Sequence, residues 1–184
     1  DETGVVLDAT GIVNEPPPQF GPAQMAEVVR CLREELNDRD LWKMRIIAPE
    51  SCNTDGVFNQ MADELKRNES AWRGLDGLAS HSYNMAATEE LEKRLLGSGK
   101  NYWMTEAGGN GPEPLNDVGA AAALASRALN DLNHLCTHWI WFIGSERHDP
   151  KDDQTRLIRW WPDPGFRYEL LAKYHYLQQL SRAF

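Results

Sequence analysis

Five times along the chain a short apolar run of strand length is followed by a longer stretch whose apolar residues recur at helical spacing. The first run lies within Val5 to Asn14, and the helix after it, Pro22 to Asn37, carries Met25, Val28, Val29, Leu32 and Leu36 on one face, with proline in its first turn. The second strand is expected within Trp42 to Pro49, as Met44 to Ala48. A loop, Pro49 to Asn53, then leads to Thr54 or Asp55, either of which can cap a helix reaching Asn68. The third strand, Leu78 to Tyr83 within Leu75 to Tyr83, is followed by a helix from Thr88 to Leu96. Glu89 and Glu90 in its first turn suit the positive end of the helix dipole, and Gly97 stops it. The fourth strand is Tyr102 to Glu106, followed by a loop from Gly108 to Pro114 and an alanine-rich helix from Asn116 to His134. The fifth is His138 to Ile143. A polar loop, Gly144 to Asp153, a ribbon, Thr155 to Trp161, and a last helix, Tyr168 to Leu180, complete the pattern.

Strands that alternate with helices of this length imply an α/β chain with a parallel sheet. A closed (β/α)8 TIM-type barrel needs eight such units and about 250 residues. With 184 residues and five units, the chain is expected to be one partial barrel domain spanning Asp1 to Phe184. Its inward side chains, Val13, Ile47 and Ile140, are expected to face an open side and to favour self-association. Composition changes this picture little: 41% hydrophobic and 26% charged residues describe an ordinary globular chain. The balance of 19 basic against 28 acidic residues, net −9, excludes a nucleic-acid partner of the usual basic kind and suits a neutral ligand. No apolar run approaches the roughly 20 residues of a membrane span. Three cysteines, Cys31, Cys52 and Cys136, have no framework spacing and read as thiols.

Candidate chemistry sits at two strand ends. Gly11-Ile12-Val13-Asn14-Glu15 is stopped by Pro16, Pro17 and Pro18. A residue before proline avoids the helical region, so Glu15 is expected to be extended, with Asn14 pointing the opposite way. Tyr102-Trp103-Met104-Thr105-Glu106 ends in a second carboxylate, before Ala107-Gly108-Gly109. Polar residues at the carboxyl ends of parallel strands line the active face of α/β barrels. A lone glutamate after a strand reads as a solvated loop acid; two in matching contexts read as a pair.

Asn14-Glu15-Pro16 and Trp103-Met104-Thr105-Glu106 resemble the acid/base and nucleophile strands of the retaining glycoside hydrolases built on (β/α)8 barrels. The chain is most similar to glycoside hydrolase family 30, the glucosylceramidase, xylanase and β-1,6-glycanase group. The stretch Tyr174 to Arg182 is similar to the helix that leads, in that family, from the barrel into a β-sandwich. The resemblance implies that these are the last five barrel units, with earlier strands and a β-sandwich outside this chain. It also implies a secreted enzyme without cofactor or metal, acting on a β-linked oligosaccharide, polysaccharide or glycolipid. Glu15 would protonate the leaving oxygen and Glu106 would attack the anomeric carbon, with the carboxylates about 5–5.5 Å apart. Asn14 would bind the neighbouring sugar hydroxyl, and Tyr83 would hold Glu106. His81 shares the side of the strand with Tyr83 and is equally read as a core histidine, while Trp141 would floor the sugar subsite. The alternative is a non-catalytic carbohydrate-binding or fragmentary relative.

Other constellations point less sharply. His134 and His138 flank Cys136 at a spacing that invites a metal, but Leu135 stands where a zinc-protease motif needs glutamate, so structural histidines are the better reading. Asp149, Asp152 and Asp153 lack the spacing of a calcium loop. Gly108-Gly109-Asn110-Gly111 has no Lys-Ser/Thr sequel and is no phosphate cradle. Trp139 reads as packing. Trp160 and Trp161 read as part of a ribbon covering the barrel, with a sugar platform as the second option.

Overall fold

A computed structural model describes residues 4, 6–83, 86–109, 118–151 and 155–183. Its main sheet has five parallel strands in chain order: β1 (Ala9–Thr10), β2 (Arg45–Ser51), β3 (Gly77–His81), β4 (Asn101–Ala107) and β5 (Cys136–Trp141). Between them run α1 (Pro22–Asp38), α2 (Gly56–Arg67), α3 (Glu69–Gly74), α4 (Glu89–Leu95) and α5 (Val118–Asn133). This is the partial (β/α) barrel architecture expected from the alternating pattern.

The helix boundaries follow local chemistry. Asp55, not Thr54, caps α2 by accepting from the N–H groups of Val57 and Phe58. Asn68 closes α2 and accepts from Ala71 N–H to open α3, a short helix that the pattern did not announce. Thr88 caps α4, accepting from Leu91 N–H. On α1, Met25, Val29 and Leu36 are buried and Leu32 packs partly against the core. Val28 is 38% exposed, at the margin of the apolar stripe.

Strict alternation sorts the strand residues into two layers. Ile46 and Ala48 of β2, Leu78 of β3 and Tyr102 and Met104 of β4 join the main core with Phe58, Met61 and Leu65 of α2. Each large apolar side chain buried there stabilises by about 1.5–3 kcal/mol. On the opposite face Ile47, Ala79 and Trp103 form a second cluster. Trp103 is sandwiched there: His138 stacks on it at 3.6 Å between ring centres, and the Arg45 guanidinium lies 4.8 Å from its ring centre. Gly77 makes room, since a Cβ on it would come within 3.1 Å of the Trp103 indole nitrogen. The expectation that Ile47 faces an open side is therefore corrected: Trp103 covers it and leaves it 6% exposed. Ile140 does remain 49% exposed.

The third and fifth strands end two residues before the expected Tyr83 and Ile143, and other boundaries differ as well. The first strand keeps only two paired residues, so Asn14 and Glu15 lie in a bend beyond it. The second extends past Pro49 to Ser51. The expected start of the last helix at Tyr168 is replaced by β8 (Arg167–Leu170), which pairs antiparallel with β7 (Ile158–Trp161). β7 in turn pairs parallel with β6 (Ser145–Arg147), and α6 (Ala172–Ala183) begins afterwards. The ribbon carrying Trp160 and Trp161 is thus the middle of a separate three-stranded sheet, with Arg167 over the Trp161 ring at 4.0 Å. No described helix is long and apolar enough to cross a membrane.

Candidate active site

Four strand ends deliver four ionisable side chains to one place. Glu15 follows β1, Glu50 lies near the end of β2, His81 ends β3 and Glu106 is the penultimate residue of β4. His81 is fully buried, and its Nδ1 lies 2.9 Å from Glu15 Oε1 and 3.5 Å from Glu106 Oε2. One oxygen of each of these carboxylates and that ring nitrogen lie within 4.8 Å of one another. The Tyr83 hydroxyl donates to Glu106 Oε2 at 2.6 Å, and its ring meets His81 edge to face at 5.8 Å.

Ladder irregularities create this convergence. His81 pairs with Glu106 whereas Ser80 pairs with Met104, so Thr105 is an extra residue on β4. Without that bulge Thr105 and Glu106 would point to opposite faces; with it Thr105 reaches Glu50 while Glu106 reaches Tyr83. Similarly Pro49 pairs with Ala79 and Ser51 with Ser80, which leaves Glu50 outside the ladder. Its freed carbonyl accepts the Glu15 N–H at 3.0 Å. This contact explains why Glu15 is not extended as expected. With φ of +45° it avoids the helical region before Pro16 by crossing to the left-handed side, and Glu50 does the same at +62°. The pleat argument for Asn14 falls with it: Asn14 is exposed in the bend, beside a cavity it shares with Gly11, Ile12, Val13 and Glu50.

Electrostatics follow from crowding. Burial, the largest single influence on His81, opposes its charged form, but the carboxylates of Glu50, Glu15 and Glu106 together outweigh it and raise its pKa. Burial and the neighbouring Glu106 push the Tyr83 hydroxyl well above its ordinary value, so it stays a donor. Cys52, beside Glu15, has its thiol pKa raised by burial first and by the carboxylates second.

Glu50 escaped the sequence reading. Its only signal was a carboxylate directly after Pro49 in an apolar strand, a context that reads as loop. It is 8% exposed, accepts from Thr105 Oγ1 at 2.8 Å and holds Oε2 3.5 Å from His81 Nε2. Asp131 escaped too: fully buried on α5, it accepts from Ala87 N–H and from the Trp139 indole.

Trp141 is partly buried beside this cluster. Its indole lies on the same side of β5 as Trp139, against the helix-facing core, and donates to the Thr155 carbonyl at 2.7 Å. It lines a cavity of about 290 Å³ with Tyr83, Gly108, Leu124, Arg127 and Lys173, not the carboxylate cluster. Gly108 permits this packing, because a Cβ there would lie 2.9 Å from the Phe142 carbonyl.

The remaining candidates are engaged separately. His134 Nδ1 pairs with the Asn130 carbonyl, His138 stacks on Trp103, and the Cys136 thiol donates to the His138 carbonyl. Burial pushes that thiol up to about 11. Asp149 accepts from Lys151 N–H, whereas Asp152, Asp153, Asn110 and Gly111 lie outside the described residues. Among the described residues the trio Glu15, His81 and Glu106 is also close enough to hold a cation.

No family model matches the chain, and no curated protein matches it in sequence. Solved structures do. The endo-β1,6-glucanase BT3312 superposes with a TM-score of 0.78 at 17% identity, covering 98% of this chain and 43% of its own. SrfJ from Salmonella typhimurium gives 0.75 at 14% identity, covering 96% of this chain and 42% of its own. The glycoside hydrolase family 30 subfamily 8 xylanase Xyn30A from Clostridium acetobutylicum gives 0.54 at 20% identity, covering 74% of this chain and 34% of its own. The chain therefore shares the fold of part of these structures, a partial (β/α) barrel, and it spans less than half the length of the structures it matches.

Proposed function

We propose that this chain carries the catalytic pair of a retaining glycoside hydrolase that cleaves β-linked carbohydrate by double displacement. The observation that carries the reading is the convergence of Glu15 and Glu106, from separate strands, to carboxylate oxygens within 4.8 Å. That spacing is nearer the roughly 5–5.5 Å of a retaining pair than the roughly 6.5–9.5 Å of an inverting one, which supports the reading. Glu106, accepting from Tyr83, is the nucleophile; it bonds to the anomeric carbon as the leaving C–O bond breaks. Glu15, more exposed and lacking a hydroxyl donor of that kind, supplies the proton to the leaving oxygen and later takes one from water. In this reading Asn14, next to Glu15 in the chain, binds the adjacent sugar hydroxyl.

The test is a 2-deoxy-2-fluoro glycosyl fluoride applied to this chain joined to the three strand–helix units that complete a barrel. Mass spectrometry should find the glycosyl ester on Glu106. Labelling of another carboxylate with Glu106 untouched would overturn the assignment. A second reading, a carbohydrate-binding half-barrel without activity, draws on one observation: at 43% of the glucanase's length the chain holds five strands where a closed barrel has eight.

A further inference from the structure

Glu50 has no part in the two-carboxylate chemistry, yet it is the most deeply placed acid of the cluster. Its position is over-determined. The bulge on β2 frees its main chain, Thr105 donates to Oε2, and Gly11 packs so close that a Cβ there would lie 3.3 Å from Glu50 Cγ. A buried carboxylate held this firmly needs a charge partner. The cation available is the His81 ring, whose Nε2 lies 3.5 Å from Glu50 Oε2 and makes no hydrogen bond of its own.

We propose that Glu50 is a positioning residue of the site, anchoring the His81 ring from behind so that Nδ1–H faces Glu15 and Glu106. The proposal rests on the reading of those two residues as the catalytic pair. Its chemical use lies in the proton's path. As the leaving C–O bond breaks, the proton moves from Glu15 to the departing oxygen and a carboxylate appears at Glu15. Nδ1–H of His81, 2.9 Å away, donates to that new anion, and Glu50 balances the ring's positive charge from the other side. The one proton transferred in this step goes from Glu15 to the departing oxygen, and His81 keeps its own. The groups facing His81 are the carboxylates of Glu15, Glu50 and Glu106 and the Tyr83 ring, with the Cys52 thiol beyond Glu15. The raised pKa of His81 agrees with a ring held by several anions.

The experiment is an NMR titration of the full chain with ¹⁵N-labelled histidine, His81 being assigned by its absence in His81→Asn. In Glu50→Gln the His81 pKa should fall by about one unit, the change expected on losing one close opposite charge. Glu50→Asp, which keeps the charge but retracts it by one methylene, should recover part of that shift. Both variants retain the Glu50 carbonyl that holds Glu15, so the local fold is kept. In the completed barrel kcat should fall roughly 10-fold in Glu50→Gln with KM little changed. A His81 titration unmoved by Glu50→Gln, or moved equally by Glu50→Asp, would overturn the proposal. A shifted His81 with an inactivator that ignores Glu106 would instead leave Glu50 as the anchor of His81 and remove the catalytic reading.

Discussion

The main-chain N–H of Glu15 donates to the main-chain carbonyl of Glu50 at 3.0 Å, and both residues sit in the left-handed region, at φ of +45° and +62°. A non-glycine residue held there costs on the order of 1–3 kcal/mol and persists only where its surroundings over-determine it. Here one hydrogen bond joins the two strained positions. It ties the bend that presents Glu15 to the bulge that presents Glu50, so neither can shift without the other.

Glu15→Ala separates proton donation from simple positioning. If Glu15 protonates the leaving oxygen, natural substrates should slow by about 10²–10⁴-fold. Aryl glycosides with good leaving groups, which need little acid assistance in the first step, should lose far less. Steady-state kinetics on both substrate types checks this; equal losses would reduce Glu15 to a sugar-positioning residue.

His81 predicts a pH dependence of stability whose sign follows from its raised pKa. The folded state binds the proton more tightly than the unfolded chain, where histidine titrates near pH ~6.5. The stabilisation from the charged ring is therefore fully present below that pH and is lost as pH rises through the higher folded-state value. Denaturant unfolding from pH 5 to 9 should show wild type losing stability in this window relative to His81→Gln. A constant difference between the two proteins would contradict a ring held charged by its carboxylates.

Asp131 predicts a purely structural effect. Its Oδ1 accepts from Ala87 N–H at 2.8 Å and its Oδ2 from the Trp139 indole at 2.9 Å, both within the packed interior. Asp131→Ala orphans these donors, at about 1–3 kcal/mol for each. The urea midpoint should fall accordingly, and pairing Asp131→Ala with Trp139→Phe should recover part of the loss. Unchanged stability in the single variant would mean that water replaces the carboxylate.

What the sequence determined by itself is the rhythm and the two ends that matter. Apolar runs of strand length alternating with amphipathic helices dictate a parallel sheet, because each helix can bury its stripe only against a sheet face. Caps such as Asp55 and Thr88 set helix starts through bonds that span three residues or fewer. Glu15 and Glu106 were legible because each closes an apolar run beside a proline or glycine break. The tertiary structure decided what depends on register. Period-two counting cannot foresee a bulge, and one extra residue re-aims every side chain beyond it. That is why Glu50 was hidden after Pro49, and why Thr105 and Glu106 serve the same cluster despite being adjacent. For Trp141 the place at a strand end was visible, but its packing beside Trp139 and its bond to the Thr155 carbonyl were not. The proximity of Glu15, His81 and Glu106 is likewise a property of how the ends of β1, β3 and β4 converge across the sheet, and spacing along the chain carries no record of it.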